Sequence, residues 1–197
     1  MTTRPSDIIA TARNIYNDAD SVLYRKDDTE LLAYVNEGIL AISALKPELF
    51  NTIGDLECVA GTVEQSVTFA DAQVLTEVLC IHDGNALTPF DMAVMSAFRP
   101  EWRSDDAGPA VQWTRKAGDP LRFFIYPKAP VSQILDIAYI RVPLVLALTD
   151  AITEIPVGYL PALVDYVVYR AESADDEHSN SGRAANHYQS FVAMIKG

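Results

Sequence analysis

Histidine is the first side chain to weigh, because its proton moves near neutral pH and its ring nitrogens bind metals. The chain carries three, His82, His178 and His187. His178 follows Asp175, Asp176 and Glu177, so a metal site from these carboxylates and the last two histidines is conceivable on paper. Nine positions separate His178 from His187, which puts them on different turns. That is not the spacing of a local metal site. A solvated helix end with a polar loop accounts for them better. Asp27-Asp28 and Asp105-Asp106 are adjacent carboxylate pairs. Acid–base work needs two carboxylates facing one substrate, with environments that push their pKa values apart. Neighbours in a polar stretch face water, so capping and loop solvation explain both pairs. Ser66, Ser132 and Ser190 lie in no motif that activates a nucleophile. Cys58 and Cys80 fall in strand-like apolar runs and read as two buried thiols. GxxxxGK[ST], GxGxxG, HExxH, GxSxG and paired CxxC motifs are all missing. Together these absences remove the usual nucleotide, zinc and hydrolase fingerprints. The expectation is a non-enzyme with no catalytic, cofactor-binding or metal-binding residue.

Stacking on nucleic acid is the next chemistry to consider. Trp102, Trp113 and nine tyrosines supply rings. Only Arg99, Arg103, Arg115, Lys116 and Arg122 interleave with them. This scattered group reads as an interface or salt-bridge set. The formal net charge is −12, from 27 acidic and 15 basic residues. Gripping a phosphate backbone takes clustered Lys and Arg, so specific DNA binding is not expected. An acidic wall repels DNA and leaves it free to slide.

The elements that would position these residues follow a clear order of helices, then strands, then helices. That clustering points to α+β. Ser6 is a candidate N-cap for a first helix over about 7–17, with Ile8, Ile9, Ala12, Ile15 and Tyr16 on one face. A second begins at the acidic run Asp27-Asp28-Thr29-Glu30 and stops before Pro47. The middle reads as strands. Gly61-Thr62 looks like a hairpin turn between Leu56–Ala60 and Val63–Phe69. Val74–His82 is a long apolar strand ending at the turn Asp83-Gly84-Asn85. Phe90–Phe98 reads as a short helix, and Val111–Thr114, Phe123–Tyr126 and Ile134–Val142 complete an antiparallel set. Leu160–Ala171 is helical again, with Pro161 in its first turn. Ser179–Gly182 breaks the pattern before a last helix carrying Ala184, Tyr188, Phe191, Val192 and Ile195. The expected architecture is a bundle of about four helices from both chain ends, residues 1–54 and 157–197. A β-rich insertion, 55–156, lies between them. No stretch approaches the ~20 apolar residues of a membrane span, and the N-terminus has no signal-peptide core.

Three stretches, in order, resemble the podophage head-to-tail adaptor family, also called tail tubular protein A. The first is Glu30-Leu-Leu-Ala-Tyr-Val-Asn-Glu-Gly-Ile-Leu-Ala-Ile-Ser-Ala-Leu-Lys-Pro-Glu-Leu49, a helix with an acidic start and a late proline. The second is Phe123-Phe-Ile-Tyr-Pro-Lys-Ala-Pro130, similar to an aromatic strand running into "YPPAP". The third is Leu160-Pro-Ala-Leu-Val-Asp-Tyr-Val-Val-Tyr-Arg-Ala171, followed by Ala184-Ala-Asn-His-Tyr-Gln-Ser-Phe191. Agreement is weakest over 84–110.

The resemblance implies a structural virion protein of the tail or neck, assembled in the host cytoplasm. Its copies would form a homo-oligomeric ring, a dodecamer, bound to the portal protein. That ring would extend the DNA ejection channel, carry the tail nozzle protein and, in some phages, help seat tail fibres. DNA would pass through the lumen without specific binding. Ring contacts are heterologous, so each subunit needs two complementary patches. On this reading the helices dock the portal, with Phe191, Met194, Ile195 and Lys196 as the contact. Arg99, Trp102, Arg103, Arg115 and Lys116 mark the tail-facing side. The competing readings are a head-closure stopper or assembly factor, and a small acidic hydrolase.

Overall fold

The computed structural model describes residues 2–18, 20, 24–173 and 181–197. Among these the fold is α+β, with five α-helices and two sheets. The chain divides into two compact units, one of residues 1–50 with 143–197 and one of residues 51–142.

The first unit holds α1 (Pro5–Ile15), α2 (Asp28–Leu45), α4 (Leu160–Ser173) and α5 (Ser181–Lys196). Each helix lays an apolar stripe inward. Ile8, Ile9 and Ala12 of α1 are buried, as are Leu31, Val35, Ile39 and Ile42 of α2. Leu163, Val167 and Val168 of α4 and Phe191 and Ile195 of α5 join them. The α1 start differs from expectation. Pro5 takes the first helical position, where its missing N–H is no loss. The cap therefore moves back to Arg4, whose backbone N–H donates to Asp7 Oδ2 at 2.9 Å. Ser6 lies inside the helix, and its N–H reaches the Leu148 carbonyl at 3.3 Å. At α2 the acidic run works as read, with Asp27 accepting from the Glu30 N–H at 2.7 Å.

Gly38 sits where α2 meets α4. A Cβ there would fall 2.6 Å from Leu163 Cδ1 and 3.0 Å from Tyr166 Cδ1, so any side chain at this position requires Leu163 to shift. The segment 143–156, which the sequence attaches to the β-rich insertion, is tied to the helices. Asn36 accepts from the Leu146 N–H at 2.9 Å and donates to its carbonyl at 3.1 Å.

The second unit contains β1 (Asn51–Glu57), β2 (Glu64–Ser66), β3 (Ala72–Ile81), β4 (Thr88–Pro89), α3 (Met92–Phe98), β5 (Gln112–Arg115), β6 (Arg122–Tyr126) and β7 (Ile134–Arg141). Its sheets have the orders β1-β7-β3 and β2-β6-β5-β4. The expected hairpin at Gly61-Thr62 does not form. β1 pairs with β7 and β2 with β6, so the turn carries the chain from one sheet to the other. Gly61 does take the left-handed φ of 73°. The buried Gln65 amide then serves in place of a strand partner, accepting from the Val59 N–H at 2.7 Å and donating to its carbonyl at 3.0 Å. The strands are also not all antiparallel, since β4 lies parallel to β5. Leu56, Leu75, Val78, Leu135 and Ile137 from one sheet and Trp113, Phe123 and Ile125 from the other build a shared core.

Candidate docking surfaces and polar clusters

The four α5 residues expected to contact a portal divide by burial. Phe191 and Ile195 are each 1% exposed, inside the helical unit. The Phe191 ring stands edge-on to Tyr166 with centroids 5.1 Å apart, and the Ile195 carbonyl accepts from Lys46 Nζ at 3.5 Å. The 3.6-residue period explains this placement, because positions 184, 191 and 195 share the stripe that faces α4. Met194 is half-buried, beside an apolar groove of about 600 Å³ lined also by Ile8, Ile15, Leu160 and Val164. Lys196 is exposed in the last turn, where a cation suits the helix dipole.

The five residues expected to face the tail are not one patch. Trp102 is 1% exposed. It packs edge-on against Phe90, Phe124 and Tyr126, with centroids 5.6, 6.2 and 6.4 Å away. Strand alternation accounts for this arrangement. Phe123 and Ile125 point to the shared core, which leaves Phe124 and Tyr126 for Trp102 on the other face. Arg103 covers the Trp102 and Phe124 rings, 5.0 Å from each centroid. Arg99 bonds Asp105 at 2.8 Å, and Asp105 also accepts from the Tyr126 hydroxyl at 2.9 Å. Arg115 and Lys116 lie at the opposite end of β5, beyond its Gln112–Tyr126 pairing. Arg115 donates to the Thr76 carbonyl, and Lys116 pairs with Glu64 at 2.7 Å.

The short helix expected over Phe90–Phe98 forms as α3, but the sequence reading gave it no role. None of its residues is buried, and Phe98 and Val94 are 87% and 55% exposed. Asp91 caps this short helix by accepting from the Ala93 and Val94 N–H groups at 2.8 and 3.0 Å. The signal was present as Asp91 followed by Met92-Ala-Val-Met95, an N-cap before an apolar run.

Asp165 on α4 receives both Ser190 Oγ, at 2.6 Å, and His187 Nδ1, at 2.7 Å, from α5. A nucleophilic serine needs the imidazole next to its hydroxyl. Here the carboxylate stands between them, so the trio clamps two helices and activates nothing. His178, Asp175, Asp176 and Glu177 lie outside the described residues. Asp28 bonds the buried Arg13 at 2.8 Å, while Asp27 caps α2, so that carboxylate pair is structural. Burial pushes the Cys58 thiol up to about 11, away from nucleophilic use. Among the described residues, one group has donor atoms close enough to hold a metal ion. Asp55, His82 and Asp136 place one ligand atom each within 4.8 Å of one another. Their hydrogen bonds hold Asp136 below the usual carboxylate range and raise His82, each through the other first.

The family model for the SU10 adaptor protein matches residues 3–197, across both units. The chain belongs to this adaptor family. It is a phage head-tail adaptor, a structural protein of the virion, and its partners are portal and tail proteins. No curated protein sequence matches the chain. Among the described residues, no helix is long and apolar enough to cross a membrane.

Proposed function

We propose that this adaptor is the ring subunit between the portal and the tail nozzle of a short-tailed phage, of the tail tubular protein A type. Twelve copies assemble in the host cytoplasm, extend the DNA ejection channel and offer a seat for tail fibres. The observation that carries this reading is the adaptor-family match over residues 3–197.

The four long helices act as one docking bundle for the portal. Met194 and Lys196 present the contact, and Phe191 and Ile195 hold the helix behind them. The second unit faces the nozzle. Its contact is α3, where Phe98 and Val94 lie open to solvent. An exposed phenylalanine on a short capped helix is the type of anchor that interface cores bury. Trp102 supports this platform from beneath, with Arg99 and Arg103 on its rim. Arg115 and Lys116 stiffen the far end of β5. The net charge of −12 suits a conduit that DNA slides through without being held.

Electron microscopy of purified portal mixed with the chain tests this. The expected result is an added twelve-fold ring. V94D/F98D keeps that ring and fails to recruit nozzle protein, whereas M194E/K196E loses the ring. Wild-type chain that adds no ring overturns the adaptor assignment. Nozzle recruitment unchanged in V94D/F98D overturns the orientation.

A further inference from the structure

The solvent face of the three-stranded sheet carries an unusual row. Asp55 and Asp136 are direct cross-strand partners in the β1–β7 register, and Asp136 is also the partner of Cys80 in β3. Residues opposite one another project from the same face, so the row reads Asp, Asp, Cys across all three strands. Like charges directly opposite oppose sheet formation. The partner that both carboxylates find is His82, one residue past the end of β3. Its backbone N–H is fixed to the Ile134 carbonyl at 3.0 Å. Its Nδ1 lies 2.8 Å from Asp136 Oδ1 and 3.8 Å from Asp55 Oδ1.

The 3.8 Å separation already fits a shared ion, and the 2.8 Å His82–Asp136 hydrogen bond would open to admit one. Ligands each about 2.0–2.2 Å from a zinc ion stand roughly 3–4 Å apart. A neutral imidazole between two carboxylates leaves two negative charges, which a divalent ion cancels. The ring's other nitrogen, Nε2, is 3.7 Å from Asp83 Oδ2. At that distance Asp83 makes no hydrogen bond to the ring, and a swing of its exposed side chain would supply the outer carboxylate that orients metal-bound histidines. Positions 55, 82 and 136 are far apart in sequence, so no local spacing announces the set.

The geometry points to a divalent transition-metal site formed by Asp55, His82 and Asp136, with zinc as its best-suited occupant. Two carboxylates and one imidazole suit Zn²⁺ over the hard ions Mg²⁺ and Ca²⁺, which prefer all-oxygen shells. Three protein ligands leave the remaining position to water. The ion would tie β1 and β7 to the end of β3, bracing the second unit. This inference does not depend on the portal–nozzle reading.

Calorimetric titration of EDTA-treated, dialysed protein with Zn²⁺ at neutral pH tests it, alongside thermal melts. Wild-type chain binds one ion, and its melting temperature rises. D55N, H82A and D136N each bind more than about 100-fold more weakly, beyond the 10–100-fold typical of losing an outer-shell partner. C80S, with the thiol 3.3 Å from Asp136 Oδ2 removed, binds like wild type. The asparagine variants are near-isosteric and relieve the like-charge pair. The metal-free D55N form, which keeps the His82–Asp136 contact, therefore melts no lower than wild type, which separates lost binding from lost folding. No zinc response in wild type, equal binding by D55N, a stronger response to Mg²⁺, or loss of binding in C80S alone would each overturn the assignment.

Discussion

Arg13 is the residue on which the α1–α2 corner turns. It is buried, and its guanidinium reaches Asp18 at 2.7 Å, the Lys26 carbonyl at 2.8 Å and Asp28 at 2.8 Å. Asp18 is buried as well, and also accepts from the Arg25 N–H at 2.9 Å and the Tyr16 hydroxyl at 3.2 Å. Removing one partner of a buried ion pair leaves the other charge uncompensated, which costs about 3–5 kcal/mol. The remaining donors to Asp18 place R13A near the lower figure, about 3 kcal/mol by urea denaturation. D18N in the R13A background should recover part of the loss, because it removes the stranded charge. The sequence alone shows Asp18 to Arg25 as a polar stretch between two helices. It carries no sign of this network, since an arginine on an apolar helix face looks like a solvated one until the partner segment folds back over it. Chemistry at this scale was legible only where neighbours in sequence are partners in space, as at the Asp27 cap.

At the scale of elements, periodicity located every long helix and the main strands, with ends displaced by a few residues. What it could not supply was strand partnership. β1 and β2 are adjacent in sequence, and Gly61 does turn the chain, yet each strand's partner lies more than fifty residues away. Hairpin reasoning is local, and this sheet is closed by distant strands. Helix contacts were equally hidden. Gly38 is simply a weak residue within a helical pattern, while in the fold it is the point of closest approach between α2 and α4. Two effects compete in G38A. Alanine gains about 1 kcal/mol in helix propensity, while overpacking a core costs about 1–3 kcal/mol. Leu163, the neighbour that must yield, is fully buried, so the clash should win. G38A is expected to destabilise by up to about 2 kcal/mol, and G38V by more, in thermal melts followed by helical circular dichroism. A more stable G38A would mean that α4 yields without cost.

For the whole molecule, topology makes the second unit an insertion. Its first strand and its last are partners, with Asn51 opposite Ile140. Chain entry and exit therefore lie about 5 Å apart, the separation of paired residues in a sheet. A segment that begins and ends at one point can be excised without breaking its own pairings. It also has its own core, from Leu56 to Tyr139, drawn from both sheets. Residues 51–142 alone are thus expected to fold. Both tryptophans of the chain, Trp102 and Trp113, lie within that segment, so their fluorescence reports on it alone. The full-length chain permits a sharper comparison. L163A opens a cavity in the helical unit and F123A one in the β unit, each at a fully buried site. Such truncations cost about 2–5 kcal/mol. F123A should lower the midpoint seen by tryptophan fluorescence while leaving the helical signal nearly in place, and L163A should do the reverse. If both variants move both signals equally, the chain unfolds as one cooperative body. The helices and the insertion could not then be assigned separate duties at portal and nozzle on the ground of separate stability.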